Sequence, residues 1–257
     1  MLATSNPRTL ASEDGITLVE LLVAMIMSVI IIAGLIAVFT VTLRQSSRIT
    51  NQVQANRKGR VTLTKAIEEL HSACTGLNTL PIQAPSTTPS SPLAASNAVN
   101  LWFLSAYGNK TSAEPVIGEV TEHDLNWTAT KTSSTGLSMG TLTDYSFVAT
   151  GGEAPTWTFP ALNTANATAK VIGTNVIAPS GKLFEYQTYN TSGKLTEVAV
   201  PLTATAAKTV ANVKISLTQA PDSGDTRTGR TANLSDSVLL RFSPGETGTE
   251  VENTPCN

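Results

Sequence analysis

The chain has 257 residues and a formal net charge of −2 at pH 7, and 14% of its residues are charged. This balance provides no basic field of the kind that nucleic-acid-binding surfaces carry, so the charge does not mark nucleic acid as a general partner. Two histidines and scattered Ser and Asp residues do not assemble a nucleophile, a base and an orienting group. We therefore expect no catalytic residues, no metal ligands and no cofactor.

The first predicted element is an apolar helix over residues 16–43, in which Glu20 is the one charged residue. A helix of this length rises about 1.5 Å per residue and so exceeds the roughly 30 Å hydrocarbon core of a membrane. It is apolar on every face, which predicts a membrane span rather than an amphipathic surface helix. A carboxylate inside a span costs about 2.5–3.5 kcal/mol, so Glu20 is expected to have a partner.

The hexapeptide Gly15-Ile-Thr-Leu-Val-Glu20 and the apolar helix that follows resemble the N-terminal signal of type IV pilins and pseudopilins. The resemblance implies that residues 1–15 are a leader, that a prepilin peptidase cuts after Gly15, and that the new amine of Ile16 is methylated. It also implies that Glu20 pairs with the amine of an adjacent subunit during filament assembly. The alternative interpretation is a tolerated Glu20 that snorkels to lipid headgroups.

The signal departs from the family pattern at three places. Most members have Phe or Met where this chain has Ile16, and basic residues where it has Glu13 and Asp14. The Pro found midway along the membrane helix of many members is absent, and Gly34 is the helix-weakening residue of that region. Because minor pilins often lack this Pro, the last difference favours a minor subunit.

The orientation of the span follows from the motif. Arg44 and Arg48 come directly after it, and the positive-inside rule alone places that side in the cytoplasm. The family instead keeps the leader inside and the large domain outside, and we give the motif more weight. The resemblance then implies a single-pass protein of the inner membrane that later joins a pilus or pseudopilus on the cell surface.

Residues 44–76 keep a helical pattern but become polar, so the membrane helix is predicted to continue outside the membrane. Lys65, Glu68 and Glu69 are expected on its wet face, Gly59 is a position for a bend, and Gly76 is a plausible stop. The apolar stripe expected to pack on a globular domain consists of Ile49, Val53, Leu63, Ile67, Leu70 and Cys74.

The remainder is predicted to be a Pro/Ser/Thr-rich loop over 77–98 and a β-rich head over 99–257. The fold class is therefore α+β, a long N-terminal transmembrane helix extending into an antiparallel β-sheet domain, as in pilins. Asn190–Gly193 is the turn of the clearest hairpin. The predicted strands cover residues 99–107, 125–130, 145–149, 156–159, 182–189, 194–200, 210–218 and 237–242.

The order of the elements over residues 182–242 resembles minor pilins and pseudopilins of the W or J type. The resemblance implies a subunit at or near the filament tip that helps to start assembly. The implied partners are the prepilin peptidase, other minor and major pilins, the inner-membrane assembly platform, and membrane lipid before assembly. A J-type pseudopilin of type II secretion is an alternative within the same family.

Cys74 and Cys256 are the two cysteines of the chain. An exported domain with an even number of cysteines favours a disulfide, which would tie the C-terminal tail to the long helix and stabilise the fold by a few kcal/mol. The alternatives are two free thiols, or a metal site that adds His71, although His71-x-x-Cys74 with one distant Cys is too little of a motif to predict zinc.

Two further functions remain open from the sequence. In the first, the protein is a tip adhesin or a receptor for DNA or secreted cargo, with contacts in the polar loop Asp222 to Arg230 or in the Pro-rich loop. Arg227 and Arg230 are the one feature that points to an anion, and a solvated loop explains them equally well. In the second, the protein is a membrane-anchored domain with an accidental motif and is never processed.

Overall fold

The computed structural model describes residues 16–73, 96–106, 120–133, 135–153, 156–161, 163–207, 209–224, 226–227 and 230–240. The chain divides into two compact units, Met1–Ser47 and Arg48–Asn257. The elements in chain order are α1 (Leu18–His71), β1 (Asn100–Ala106), β2 (Val120–Thr132), β3 (Ser138–Val148), β4 (Gly151–Glu153), β5 (Thr156–Thr158), β6 (Thr168–Ile177), a 3-10 turn (Pro179–Gly181), β7 (Phe184–Tyr189), β8 (Leu195–Glu197), α2 (Ala204–Ala207), β9 (Asn212–Gln219) and β10 (Ala232–Leu239).

In the unit Met1–Ser47, α1 exposes its large apolar side chains on all faces. Ile26, Ile30 and Ile31 are examples, and every described residue before Ser47 is exposed. The helix contains an 18-residue window with a mean hydropathy of 3.0, none of it buried. By length and composition α1 could therefore cross a membrane, as the apolar run predicts.

In the unit Arg48–Asn257, eight strands of the described residues form one sheet in the order β1-β2-β3-β6-β9-β7-β8, and β10 pairs with β9. Each of these pairings is antiparallel. β9 has three partners, because β10 pairs along its whole length while β7 and β6 pair with its two ends. The α+β class with a long helix and an antiparallel sheet is confirmed.

Small residues let the second half of α1 pack on the sheet. Its buried residues follow one helix face, with steps of three or four residues except for the adjacent pair Thr62 and Leu63. They are Ala55, Gly59, Thr62, Leu63, Ala66 and Leu70. The predicted stripe is confirmed at Leu63 and Leu70 but is wrong at Ile49 and Val53, which are 60% and 52% exposed. The prediction weighted large apolar residues, whereas small ones allow the helix backbone to approach the strands.

Two glycines mark the closest approach between α1 and the sheet. A Cβ built on Gly59 would lie 2.4 Å from Leu234 Cδ1 and 3.0 Å from Gln219 Cβ. A Cβ built on Gly173 of β6 would lie 2.5 Å from both Cγ2 and Oγ1 of Thr62. Gly59 therefore serves close packing of the helix on the sheet.

The end of α1 differs from the prediction. The helix stops at His71 rather than near Gly76, and Ala73 already forms an antiparallel bridge with Ser105 of β1. The backbone has therefore turned from helix to extended pairing within two residues. Gly76 and residues 77–95 of the predicted loop lie outside the described residues.

Several predicted strands are confirmed with shifted bounds. β1, β5, β7 and β9 agree within two residues with the predictions, whereas β2 and β3 are longer and β8 is shorter. β10 spans Ala232–Leu239 instead of residues 237–242, because it pairs residue by residue with β9. β6 was not predicted, and it contains Gly173 and Asn175, residue types that weaken a strand prediction.

The core lies between α1 and the sheet. Leu63 and Leu70 from the helix join Leu125, Val213 and Ile215 from the strands. Trp102 and Phe147 form a second cluster, stacked with ring centroids 6.0 Å apart. Trp102 is 2% exposed and so belongs to the core of this unit.

Candidate functional site

The N-terminal end of α1 contains the residues that the pilin-like motif singles out. Ile16 and Thr17 precede the helix, which begins at Leu18, so Glu20 lies in its first turn. Gly15, the residue before the expected cut, lies outside the described residues. The expected cleavage and methylation therefore remain predictions.

Glu20 and Thr17 form a reciprocal cap on this helix end. The backbone N–H of Glu20 donates to Thr17 Oγ1 over 3.3 Å, and the backbone N–H of Thr17 donates to Glu20 Oε2 over 3.4 Å. The Thr17 hydroxyl also lies 3.4 Å from Glu20 Oε2. This is the capping box, which satisfies amide groups that the first turn of a helix leaves without partners.

The capping box gives Glu20 a partner within its own chain. The signature that could have identified it is Thr-x-x-Glu before an apolar run, which is present in the sequence as Thr17-Leu-Val-Glu20. A carboxylate in the first turn is also favoured by the helix dipole. Glu20 therefore has a local role in the helix, and any pairing with another subunit comes in addition to it.

A second group of polar residues is buried in the sheet. Glu122, His123 and Asp124 are consecutive in β2, and Asp144 lies in β3. All four residues are buried, with exposures between 0% and 8%. His123 Nδ1 lies 2.9 Å and 3.1 Å from the two carboxylate oxygens of Asp144. The ring of Phe103 stacks on the imidazole with centroids 5.0 Å apart, which holds the orientation of His123.

Burial controls the acidity of two of these carboxyls. It raises the pKa of Glu122 to about 7, against the charge of His123, which lowers it. It also raises the pKa of Asp124 to about 7; the hydrogen bond from Asn126 opposes this change, and the charges of Asp144 and Glu122 add to it. Asp124 Oδ1 is buried without a hydrogen-bond partner among the described residues.

Glu69 brings α1 to the His123–Asp144 pair. One carboxylate oxygen of Glu69, one oxygen of Asp144 and a ring nitrogen of His123 all lie within 4.8 Å of one another. Lys170 of β6 donates to Glu69 Oε1 over 2.6 Å, and this hydrogen bond raises the pKa of the ammonium group. The sequence prediction missed this group because its members come from three elements far apart in the chain.

The polar loop that begins at Asp222 is attached to α1 at its start. The Asp222 carboxylate accepts hydrogen bonds from Lys58 and Gln54, and Lys58 also forms an ion pair with it. Further along, Arg227 lines an open groove of about 540 Å³ together with Lys131. Arg230 does not line this groove, although its backbone N–H donates to the carbonyl oxygen of Arg227 over 3.1 Å.

The predicted disulfide residues, Cys74 and Cys256, both lie outside the described residues, and their pairing stays a prediction. His71, considered as a third ligand beside them, is exposed at the end of α1. Comparison of the chain with family models, with curated proteins and with solved structures finds no match.

Proposed function

We propose that this protein is a subunit of a type IV pilin-like filament, a minor pilin or pseudopilin that is cut after Gly15. In this proposal the apolar half of α1 holds the protein in the inner membrane, with the head outside the cytoplasm, until assembly. The prepilin peptidase, the assembly platform and other pilins are its partners. A position at or near the tip follows from the W- or J-type resemblance over residues 182–242.

The observation that carries the proposal is the placement of Glu20 in the first helical turn, as the fifth residue after the expected cleavage point. Ile16 and Thr17 precede α1, Glu20 lies in its first turn, and an exposed apolar helix follows. A cut after Gly15 would create an ammonium group at Ile16, one helical turn from the carboxylate. A neighbouring subunit that supplies its own amine would remove two uncompensated charges from lipid at once.

The class of protein is tested by intact-mass and N-terminal analysis of the full chain produced with and without a prepilin peptidase. We expect a mature chain that begins at methylated Ile16 in the presence of the peptidase. Gly15→Ala is expected to retain residues 1–15. A wild-type chain that keeps its leader beside an active peptidase would contradict the proposal.

The capping box allows the two roles of Glu20 to be separated by a matched pair of variants. Glu20→Gln keeps an acceptor that can complete a capping box but removes the charge, whereas Thr17→Val removes the hydroxyl and keeps the charge. If charge pairing between subunits drives assembly, Glu20→Gln should be processed normally yet reduce incorporation into filaments at least tenfold. Thr17→Val should be incorporated almost as well as wild type.

The reverse pattern would contradict the pairing mechanism. Normal incorporation of Glu20→Gln together with a defect in Thr17→Val would mean that Glu20 acts as a helix cap. The fraction of each variant in sheared filaments, relative to the membrane fraction, measures the difference. Intact mass of both variants checks that processing is unchanged.

A second candidate function, recognition of an anionic ligand by the head, is favoured by the groove that Lys131 and Arg227 share. Hydroxyl groups of Thr132, Ser133 and Ser223 line the same groove and could donate to phosphate or carboxylate oxygens. Replacing Lys131 and Arg227 with Ala should abolish binding of a phosphate-rich probe such as single-stranded DNA and leave filament incorporation intact. Unchanged probe binding would contradict this function, and Arg230→Ala is the control outside the groove.

A further inference from the structure

We propose that Glu69, His123 and Asp144 form a binding site for a divalent transition-metal cation, of which Zn²⁺ fits best, between α1 and the sheet. The inference is independent of the proposed filament function. It depends on the convergence of three side chains from α1, β2 and β3 on one point.

The distances are close to those that a single ion needs. A tetrahedral Zn²⁺ with bonds of about 2.1 Å places its ligand atoms about 3.4 Å apart. His123 Nδ1 is already 2.9 Å and 3.1 Å from the Asp144 oxygens, and the whole set lies within 4.8 Å. Closing the site therefore requires a movement on the order of 1 Å, which the Glu69 side chain can supply by rotation.

The chemistry of the three groups selects the kind of ion. One imidazole nitrogen and two carboxylate oxygens are a mixed donor set that suits Zn²⁺ better than Mg²⁺ or Ca²⁺, which prefer oxygen alone. In the metal-free chain His123 Nδ1–H donates to the Asp144 carboxylate. Metal binding therefore has to move this proton to Nε2 or release it to water, after which Nδ1 offers its lone pair to the ion. The two carboxylates then supply two negative charges, which match a divalent cation.

The surroundings hold the ligands in place without closing the site. His123 and Asp144 belong to residues 7% and 2% exposed, and Phe103 stacks on the imidazole. Fixed ligand orientation of this kind raises metal affinity. The Glu69 side chain is 20% exposed, so an ion can enter from the α1 side of the pair.

Lys170 is the resident cation that a metal ion has to displace. Its ammonium group donates to Glu69 Oε1, but the Lys170 side chain is 58% exposed. An ion pair with one exposed partner contributes little to stability, so its loss is a small cost beside coordination of a divalent ion. Removing Lys170 should therefore strengthen metal binding, whereas a purely structural ion-pair network has no reason to bind metal more tightly without it.

The test uses the full chain without an affinity tag, in detergent micelles, with its thiols alkylated so that cysteine contributes no ligand. Isothermal titration with Zn²⁺ and metal content after dialysis measure the affinity and the stoichiometry. We expect one Zn²⁺ per chain and weak or no binding of Mg²⁺. Zn²⁺ should also raise the unfolding temperature, because the ion would join α1 to the sheet.

Three variants locate the ion. Glu69→Gln should weaken Zn²⁺ binding at least tenfold, and Glu68→Gln, an exposed neighbour on the same helix, should leave it unchanged. Lys170→Met should tighten binding several-fold. His123→Asn serves as a second ligand variant, and its near-ultraviolet circular dichroism reports whether the core still folds.

Each opposite result overturns the site. Absence of Zn²⁺ binding to the folded wild-type chain would do so directly. Equal affinity of the Glu69→Gln and Glu68→Gln variants would place any bound ion elsewhere. An affinity for Zn²⁺ in Lys170→Met that equals or falls below that of the wild type would also show that the ion does not bind at Glu69.

Discussion

Asp124 is a carboxyl group whose surroundings favour its neutral form. The residue has no solvent exposure, and one of its oxygens has no hydrogen-bond partner among the described residues. Burial is the main cause of its raised pKa, and the nearby charges of Asp144 and Glu122 act in the same direction. Below its folded-state pKa of about 7, protonation removes the cost of a buried charge, and above this value the fold bears that cost.

The stability of the head should therefore fall as the pH rises towards neutrality. In the unfolded chain Asp124 ionises near its ordinary pKa of 3.8, so between that value and about 7 the folded state binds more protons than the unfolded state. The stabilisation is fully present below the unfolded-state pKa and is lost through about pH 7. In Asp124→Asn, the loss of unfolding free energy across this pH range should be smaller than in the wild type by on the order of 1–3 kcal/mol.

The measurement is the free energy of unfolding of the wild type and of Asp124→Asn from about pH 5 to about pH 8, in EDTA so that metal binding has no part. His123, Glu122 and Asp144 are the titratable neighbours that both proteins share. Asp236→Asn, an exposed carboxylate on β10, is the control. Identical pH dependence in the wild type and Asp124→Asn would show that Asp124 is not the titrating group.

At the scale of elements, the contact between α1 and β6 depends on the absence of a side chain at Gly173. Thr62 occupies the space where a Cβ would be, with two of its side-chain atoms 2.5 Å from that position. Thr is branched at Cβ and has few rotamers within a helix, so it cannot easily move aside. The separation of helix and sheet is therefore set at this pair.

Gly173→Ala should destabilise the head by about 1–3 kcal/mol, the usual cost of adding a methyl group to a filled interface. The double variant Thr62→Ala with Gly173→Ala should be more stable than Gly173→Ala alone, because two of the clashing atoms are gone. Gly151→Ala is the matched control in a strand, since nothing lies within 4 Å of its Cβ position. Denaturant unfolding followed by Trp fluorescence measures these differences, and equal stability of the two single variants would contradict the packing argument.

At the scale of the whole molecule, the two units differ in the environment that suits their surfaces. Before Ser47, α1 exposes apolar side chains on every face, whereas the unit Arg48–Asn257 encloses its apolar residues in a core. An apolar surface on that scale is costly in water and favourable in lipid. The full chain should therefore remain with membranes after an alkaline carbonate wash.

Paired charge substitutions test this expectation. Ile30→Arg with Ile31→Arg places two charges within the apolar window and should release the protein, since each costs about 2.5–3.5 kcal/mol at the centre of a span. Ile49→Arg with Val53→Arg adds the same charge to exposed positions of the same helix beyond the apolar run and should leave the protein in the membrane. Equal retention of the two double variants would argue against a span at residues 16–43.

Local chemistry explains which strands could be predicted. In the hairpin of β7 and β8, Asn190 Oδ1 accepts hydrogen bonds from the backbone N–H groups of Ser192 and Lys194. Gly193 adopts a φ of +72°. Asn and Gly are the residue types that such a turn requires, so the turn could be predicted from the sequence. β6 carries Asn175 at a φ of +58° and pairs with β3 through two register shifts, irregularities that no period-two pattern contains.

The amino-acid sequence by itself determined the long helix, its apolar first half and the hairpin turn, because each depends on neighbours within a few residues. The sequence also contains the Thr-x-x-Glu pattern of a capping box at Thr17 and Glu20, and the structure shows that its two hydrogen bonds form. The tertiary structure alone decided the small-residue face of α1, the three-way pairing of β9 and the meeting of Glu69, His123 and Asp144. These features join residues far apart in the chain, and the free energy that brings them together comes from packing the whole core rather than from any local pattern.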